Sequence, residues 1–420
     1  MKVDALPLQY CSSNCKPCIV FPVGKIIKRF GHFPGGSGFL GQHVVKHLRE
    51  DAAVSEVRVV DLRPFEERLG LSPAASRVPV TWVPADLTEE ADEAKCEEAF
   101  GGADLVIHCA GLEDRSYPAD LQALHRHNVK ATEAVVSLCR RANVPRLVST
   151  SSVEVVFVPY LRNALGTALG SYSVIVNQTE ARAVPPEDPS DLEPFPASKL
   201  RAERIVLAAN GSALDNGGSL RTVALRAPPM YGEEDRQLVP GLLRLARLFE
   251  NTLLQLGGPS QRHQHAYVGN VAWAHVCAGH ALAREEAVEA QAVAGLAVFV
   301  TDESPKGDLL RLTQLLLTFP DVSGSGTPSL VRVRASPLPT WVSYLAAVAA
   351  ETLVTATFGA RLPVRPSAFI SYLSSFVSLS RLRAETRLRY APKYAAEDAI
   401  ARSRAYYARA KDLQEVDPLD

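Results

Sequence analysis

A glycine-rich turn and the acidic residue that follows it constrain the fold of this chain more than any other feature. Residues 35–41 read Gly-Gly-Ser-Gly-Phe-Leu-Gly, and Asp61 follows the β-rich run Val57–Val60, twenty positions after Gly41. Glycines at such positions let the backbone turn tightly after a strand, approach a phosphate closely and pack the next helix against the sheet. The spacing therefore predicts a strand, a phosphate-binding turn and a helix, in that order.

This turn also predicts a dinucleotide-binding site. The N-terminus of the helix offers N–H groups and the positive end of its dipole to a pyrophosphate. The Asp61 carboxylate is expected at the ribose hydroxyls, where it would repel a 2′-phosphate, so NAD is favoured over NADP; Arg63 beside it weakens that preference. The residues assigned to the pyrophosphate side are Gly35, Gly38, Phe39, Leu40 and Gly41.

The residues before the glycines fit this interpretation less well. Residues 26–34 contain two basic residues and a glycine and end in proline, and residues 15–23 contain two prolines, so both make poor central strands. Cys11, Cys15 and Cys18 are not followed by a second group of ligands at zinc spacing, so no metal site is predicted. We interpret residues 1–33 as an atypical N-terminal segment.

Composition narrows the class of protein. The chain has 420 residues, 47% of them hydrophobic, and a formal net charge of −1, which is typical of an enzyme-sized globular protein. The charge balance gives no basic surface for nucleic acid, and none is expected as a partner. Seven scattered cysteines and the lack of a charged-then-apolar leader favour a reducing, cytosol-facing environment.

Beyond Asp61, strand and helix patterns alternate, which predicts an α/β fold with a doubly wound parallel sheet. The carboxyl ends of parallel strands form the ligand-binding edge of such a sheet. We therefore expect Asp86 and Leu87 near the adenine, Ala110 against the cofactor and Ser152 at the site. Residues 121–142 have the period of a helix. His108, and the pair His263 and His265, are interpreted as structural residues and not as catalysts or metal ligands.

Several of these strings resemble one enzyme family, the 3β-hydroxysteroid dehydrogenase/Δ5-4 isomerases among the extended short-chain dehydrogenases. Besides the glycine turn, they are Ile-His-Cys-Ala-Gly at 107–111, Asn-Val-Lys-Ala-Thr at 128–132, Thr-Ser-Ser-Val-Glu-Val at 150–155 and Tyr-Val-Gly-Asn-Val-Ala-Trp-Ala-His at 267–275. The resemblance covers residues 35–156 and 193–410. It implies a Rossmann-type NAD-binding domain over 34–300, with a divergent insert at 157–191, and a smaller α-rich substrate and membrane region over 301–420.

The resemblance also implies catalytic roles. In the family, a tyrosine four residues before a lysine exchanges a proton with the substrate hydroxyl; the lysine lowers the pKa of the tyrosine and holds the nicotinamide ribose, and a serine holds the same substrate oxygen. Lys199 and Ser152 match the lysine and the serine, but Phe195 stands in the tyrosine position.

Three functions therefore stay open. The first is NAD-dependent oxidation of a sterol 3β-hydroxyl to a ketone, with Δ5-4 isomerisation as an untested second activity. The second is a catalytically impaired protein that binds NAD and steroid. The third, a scaffold without a dinucleotide, follows only if the missing first strand prevents the glycine turn from forming.

A long apolar stretch at residues 338–358 is a candidate for attachment to a membrane. About 20 apolar residues span a bilayer, but Glu351 and several threonines dilute this stretch, and a central acid costs about 2.5–3.5 kcal/mol on insertion scales. We expect a peripheral or single-helix attachment, with Trp341 and Tyr344 at the headgroups, over a helix lining the substrate pocket. The resemblance implies endoplasmic reticulum or mitochondrial membranes, facing the cytosol. Assembly of two copies of the chain into a homodimer is a further expectation that the sequence leaves open.

Overall fold

A computed structural model describes residues 18–20, 36–70, 78–157, 174–256, 262–284, 287–305, 307–318, 330–358 and 361–409. Its centre is a sheet of seven parallel strands in the order β11-β7-β5-β4-β1-β2-β3. The strands of this sheet are β1 (Cys18–Val20), β2 (Val57–Val60), β3 (Val80–Val83), β4 (Val106–His108), β5 (Arg146–Ser152), β7 (Arg221–Ala227) and β11 (Leu296–Phe299).

Helices connect these strands and cover both faces of the sheet. The α-helices are α1 (Phe39–Glu50), α2 (Glu93–Phe100), α3 (Leu121–Leu124), α4 (Ala131–Arg141), α5 (Pro194–Ala208), α6 (Leu238–Arg247), α7 (Val268–Leu282), α8 (Ala287–Gln291), α9 (Leu309–Leu316), α10 (Thr340–Phe358), α11 (Pro366–Leu373) and α12 (Ala396–Arg409). The predicted helix over 121–142 is one helical run: α3 continues through a π-helical segment, His125–Lys130, into α4.

Two hydrophobic cores lie on opposite faces of the sheet because successive strand residues point to opposite sides. Val59 and Ile107 pack with α1 and α7 in one core, whereas their neighbours Val60 and Val106 pack with α2 and α4 in the other. All four of these side chains are fully buried. Burial on both faces explains why the strands read as short continuous apolar runs in the sequence.

The strand that opens the sheet lies where the sequence analysis did not expect one. Cys18–Val20 forms β1 and pairs in parallel with β2 on one side and β4 on the other. The prediction that residues 15–23 make a poor central strand is therefore wrong. The pairing uses only three residues, and Pro17 and Pro22 lie outside the described residues. Cys11 and Cys15 lie outside the described residues.

The strand order reverses between β1 and β4, which defines the site region. From β1 the chain continues to β2 on one side, and later returns to β4 on the other. In open α/β sheets ligands bind in the crevice at this switch point, at the carboxyl ends of the strands. The glycine turn before α1 and the loop that follows β4 both lie at this edge.

Short parallel strand pairs tie the C-terminal region to the rest of the protein. β12 (Arg332–Ala335) pairs with β9 (Thr252–Gln255), and β13 (Phe376–Leu379) pairs with β6 (Val174–Gln178), which belongs to the divergent segment 157–191. A third pair joins β8 (Met230–Tyr231) to β10 (Ala266–Tyr267).

Among the helices that the structure describes, none combines the length and the apolarity needed to cross a bilayer.

Candidate active site

The turn before α1 has the features of a phosphate-binding site. Gly38 is the N-cap of α1 and has no side chain with which to cap the helix, which suits a ligand at the first N–H groups. Ser37 N donates a 2.9 Å hydrogen bond to Asp61 Oδ2, and Arg63 N donates to Asp61 Oδ1 at 3.0 Å. These bonds place the carboxylate from the end of β2 directly against the turn. Gly35 lies outside the described residues.

Asp61 is fully buried, and its carboxylate is surrounded by N–H donors. Burial raises the pKa of this carboxyl, while the hydrogen bonds from the backbone of Arg63 and Ser37 oppose that shift. The carboxylate can accept further hydrogen bonds, because each oxygen has more than one acceptor position. Its position therefore fits the predicted contact with ribose hydroxyls.

The loop after β4 lies against α5 and the π-helical segment. A Cβ atom added at Gly111 would lie 3.2 Å from Asn128 Oδ1 and 3.5 Å from Lys199 Nζ, so a larger residue here would have to displace Asn128 slightly. Asn128 Oδ1 accepts from Leu112 N at 2.6 Å, and Asn128 Nδ2 donates to Ser198 Oγ at 2.7 Å. Asn128 thereby fixes this loop beside the start of α5.

Residues assigned to the adenine and to the sheet edge are buried where the strands end. Ala110 and Leu87 are both buried. The Asp86 carboxylate accepts from Thr88 N at 2.9 Å and lies 3.3 Å from the Arg126 guanidinium. An adenine contact by Asp86 stays a prediction, since these partners account for part of its hydrogen-bonding capacity.

Helix α5 carries the two residues that the sequence placed at the catalytic centre. Phe195 and Lys199 are four residues apart, so they lie on the same face of the helix. Lys199 Nζ donates a 2.7 Å hydrogen bond to the main-chain oxygen of Thr150, in β5. Burial lowers the pKa of Lys199 to about 8, and the nearby Cys109 and Glu203 oppose that shift.

Ser152 lies at the carboxyl end of β5, as predicted. Ser152 is buried, and its Oγ accepts a 3.1 Å hydrogen bond from Glu154 N at the start of the 3-10 turn Val153–Val156. The hydroxyl proton remains free to donate. Sequence reasoning thus located the serine, the lysine and the phenylalanine on the two adjacent elements, β5 and α5.

An ion-pair cluster covers Phe195, and the sequence analysis missed it. The guanidinium carbon of Arg115 lies 5.0 Å from the centre of the Phe195 ring, at cation–π distance. Arg115 Nη1 donates to Glu154 Oε2 at 2.9 Å, and a second contact joins Arg115 to Glu113. Phe195, which stands where the family has a tyrosine, therefore has its ring directly beneath the Arg115–Glu154 ion pair.

A buried network behind the site supports α5. Arg226 in β7 donates to both carboxylate oxygens of Glu203, at 2.9 and 2.6 Å, and Ser151 Oγ donates to the same carboxylate at 2.6 Å. All three residues are almost fully buried. Glu203 lies one turn after Lys199, so this network fixes the helix that carries the lysine.

Comparison with known proteins identifies the family. The model of the 3-beta hydroxysteroid dehydrogenase/isomerase family matches residues 33–328. The chain belongs to this family. Among curated members, 3 beta-hydroxysteroid dehydrogenase type 7 from Mus musculus is 34% identical over 274 residues, which are 64% of this chain and 68% of that protein. The enzyme of the same name from Homo sapiens is 35% identical over 279 residues, with the same coverage.

Membership of the 3-beta hydroxysteroid dehydrogenase/isomerase family confirms two predictions, the family itself and its oxidoreductase class. Solved structures confirm the Rossmann-type fold. MoeE5 in complex with UDP-glucuronic acid and NAD superposes with a TM-score of 0.57 at 19% identity, over 89% of this chain and 97% of that one. A UDP-galactose 4-epimerase gives 0.56 at 17% identity, over 90% and 97%. At these identities the likeness concerns the fold alone.

Proposed function

We propose that this protein binds NAD and a 3β-hydroxysteroid and oxidises the 3β-hydroxyl to a ketone at a rate limited by Phe195. The observation that carries the proposal is the arrangement of Lys199, Ser152 and Phe195 on two adjacent elements. Lysine and serine are retained with defined hydrogen bonds, whereas the aromatic ring lacks a hydroxyl.

The described residues fit NAD on three grounds. The N-terminus of α1, whose N-cap is a glycine, suits a pyrophosphate, and the buried Asp61 carboxylate suits ribose hydroxyls. Lys199 Nζ lies at the same sheet edge, where it bonds to the main chain near the carboxyl end of β5. When bound, NAD accepts a hydride from the substrate carbon. The curated relatives support a steroid as substrate through their printed names.

The loss of the phenol determines the expected rate. The proton of the substrate hydroxyl must leave when the ketone forms, and phenylalanine cannot accept it. A positioned acid–base group contributes roughly 10²–10⁴ in rate. Ser152 Oγ can still hold the substrate oxygen, and a route through this hydroxyl and water leaves a slow reaction.

The second candidate function is binding of NAD and steroid with little turnover. The Arg115–Glu154 pair over the Phe195 ring favours it, because residue 195 has no hydroxyl and the Glu154 carboxylate near it is already engaged by the Arg115 guanidinium. Titration of purified protein with NADH, followed by an assay of NAD-dependent pregnenolone oxidation, separates the candidates. Binding with slow turnover supports the first, binding without turnover the second, and no NADH binding contradicts both.

We also propose that α10 attaches the protein to the surface of a membrane. Trp341, Leu345 and Leu353 recur at helical spacing and are about half exposed, with side-chain exposures of 43%, 54% and 60%. Glu351 is buried and faces Arg365, at 3.4 Å, so the acid is directed away from this apolar stripe. A cytosol-facing endoplasmic reticulum or mitochondrial membrane suits a sterol-binding protein, since sterols dissolve there.

A further inference from the structure

A buried phenol without a hydrogen-bond partner among the described residues lies in α11, a helix whose N-terminus pairs with the N-terminus of α5. The hydroxyl of Tyr372, in α11, is inaccessible to solvent, and no polar atom of the described residues bonds to it. Buried hydroxyl groups are nearly always hydrogen-bonded, and an unpaired one carries a desolvation cost. An unpaired phenol near a ligand site therefore indicates a group that the ligand satisfies.

The Tyr372 ring is held rigidly. It stacks on the imidazole of His263, with ring centres 4.6 Å apart and planes inclined by 23°. His263 Nδ1 accepts from Leu309 N at 3.2 Å, so Nε2 carries the proton and donates to the main-chain oxygen of Tyr372 at 2.8 Å. Because burial lowers the pKa of His263, this neutral form is maintained. The phenol is thus fixed by its ring and by its own backbone.

Helix α11 is tied to the beginning of α5, which carries Phe195. Arg365, the N-cap of α11, pairs with Glu193 at 3.0 Å and with Glu351 at 3.4 Å. Glu193 is the N-cap of α5, two residues before Phe195. Arg365 therefore joins the N-terminus of the helix that carries the phenol to the N-terminus of the helix that carries Phe195.

The Tyr372 phenol also lies within the electrostatic range of the cluster that covers Phe195. Burial raises the pKa of Tyr372, Glu154 adds to the increase and Arg115 opposes it. The phenol therefore stays protonated at neutral pH and can donate a hydrogen bond. The two groups that shift the pKa of this phenol, the Glu154 carboxylate and the Arg115 guanidinium, form the ion pair over the Phe195 ring.

A second unpaired group belongs to the same cluster. Both ring nitrogens of His265 lack a partner among the described residues, although this side chain is buried and its ring lies 6.0 Å from that of His263. Two buried polar side chains, both in ring contact with His263 and both without partners among the described residues, favour a polar pocket over a single packing defect.

We propose that the Tyr372 hydroxyl donates a hydrogen bond to the reacting oxygen of the substrate, a sterol-sized alcohol or its ketone. It thereby supplies the polar contact that Phe195 cannot make. The phenol remains protonated throughout, so it positions and polarises the oxygen without accepting the proton of the alcohol. This inference rests on the proposed steroid-binding function.

The test compares Tyr372→Phe with Tyr390→Phe in the full-length protein loaded with NADH. Tyr390 is a matched control, because its buried hydroxyl also lacks a partner among the described residues and its pKa responds to Asp302 and Cys277 instead of Glu154. Each variant is titrated with pregnenolone and with its 3-deoxy analogue. Since neither hydroxyl bonds to a residue that the structure describes, both variants should unfold thermally as the parent does.

We expect Tyr372→Phe to weaken pregnenolone binding about three- to tenfold, the value of one hydrogen bond, and to leave the 3-deoxy analogue unaffected. Tyr390→Phe should change neither affinity. Equal weakening of both ligands by Tyr372→Phe, or no weakening of either, overturns the inference while leaving steroid binding intact. If the parent binds NADH but neither steroid, the proposed function fails and the inference fails with it.

Discussion

The amine of Lys199 donates a 2.7 Å hydrogen bond to the main-chain oxygen of Thr150, two residues before Ser152. Thr150 is itself fixed, because its hydroxyl lies 2.8 Å from His275 Nε2, while His275 Nδ1 donates to Val271 O at 2.8 Å. The lysine is therefore held by the protein independently of residue 195. This arrangement explains how the site can keep the lysine that is expected to bind the cofactor although residue 195 has no phenol.

Cofactor choice should depend on Asp61. The buried carboxylate beside the glycine turn repels a 2′-phosphate, so we expect tighter binding of NADH than of NADPH in fluorescence titrations. Asp61→Asn keeps an acceptor for Ser37 N and removes the negative charge. This variant should therefore show a smaller difference between its affinities for NADH and NADPH. Tighter binding of NADPH by the parent protein would show that Asp61 does not face the ribose.

The charge of Lys199 should make cofactor affinity dependent on pH. Burial lowers its pKa to about 8, below the ordinary value of 10.5, so the amine is cationic below pH 8 and loses its proton above it. NADH affinity should therefore fall as the pH rises through about 8. Lys199→Met should bind NADH more weakly at pH 7 and show no such decline; a decline of equal size in this variant would assign the titration to another group.

The buried pair behind the site gives a prediction about stability. Arg226→Met leaves the Glu203 carboxylate buried without its charge partner and should lower the free energy of unfolding by about 3–5 kcal/mol. The double variant Glu203→Leu/Arg226→Met removes both charges and should be more stable than Arg226→Met in urea unfolding. A double variant at least as unstable as the single one would show that packing, and not charge, dominates here.

Membrane attachment should depend on the exposed stripe of α10. Leu345→Lys/Leu353→Lys places two charges on this stripe and should abolish co-sedimentation with phosphatidylcholine vesicles. Leu248→Lys/Leu382→Lys is the matched control, since these leucines are also more than half exposed, at 77% and 55%, and lie outside α10. Equal loss of vesicle binding in both double variants, or no binding by the parent, would contradict the proposal.

Much of the fold could be predicted because the buried strands read as apolar runs and the helices show their period. The glycine turn, Asp61 and the hydroxyls that end β5 all lie at one sheet edge, as the rule for parallel sheets requires. The first strand was missed for a physical reason. The rule expects a strand immediately before the glycines, whereas fifteen residues separate the pairing segment, Cys18–Val20, from Gly36 in the sequence.

The remainder of the site could not be predicted because it depends on contacts between distant segments. A main-chain carbonyl such as that of Thr150 leaves no trace in side-chain patterns, although it holds Lys199. Arg115 follows β4 and Tyr372 lies in α11, and nothing in the local sequence of either indicates Phe195. Asn128 had a visible signal, since a polar residue on the buried side of a helix usually has a specific partner.

The central claim, that the missing phenol at residue 195 limits turnover, is tested most directly by Phe195→Tyr. NAD-dependent oxidation of pregnenolone should rise by about 10²–10⁴-fold, because Lys199 is already in position to make the new phenol acidic. NADH affinity should barely change, and Phe195→Tyr/Lys199→Met should lose most of the gain. If Phe195→Tyr binds NADH but oxidises pregnenolone no faster than the parent, residue 195 does not limit turnover and the account is contradicted.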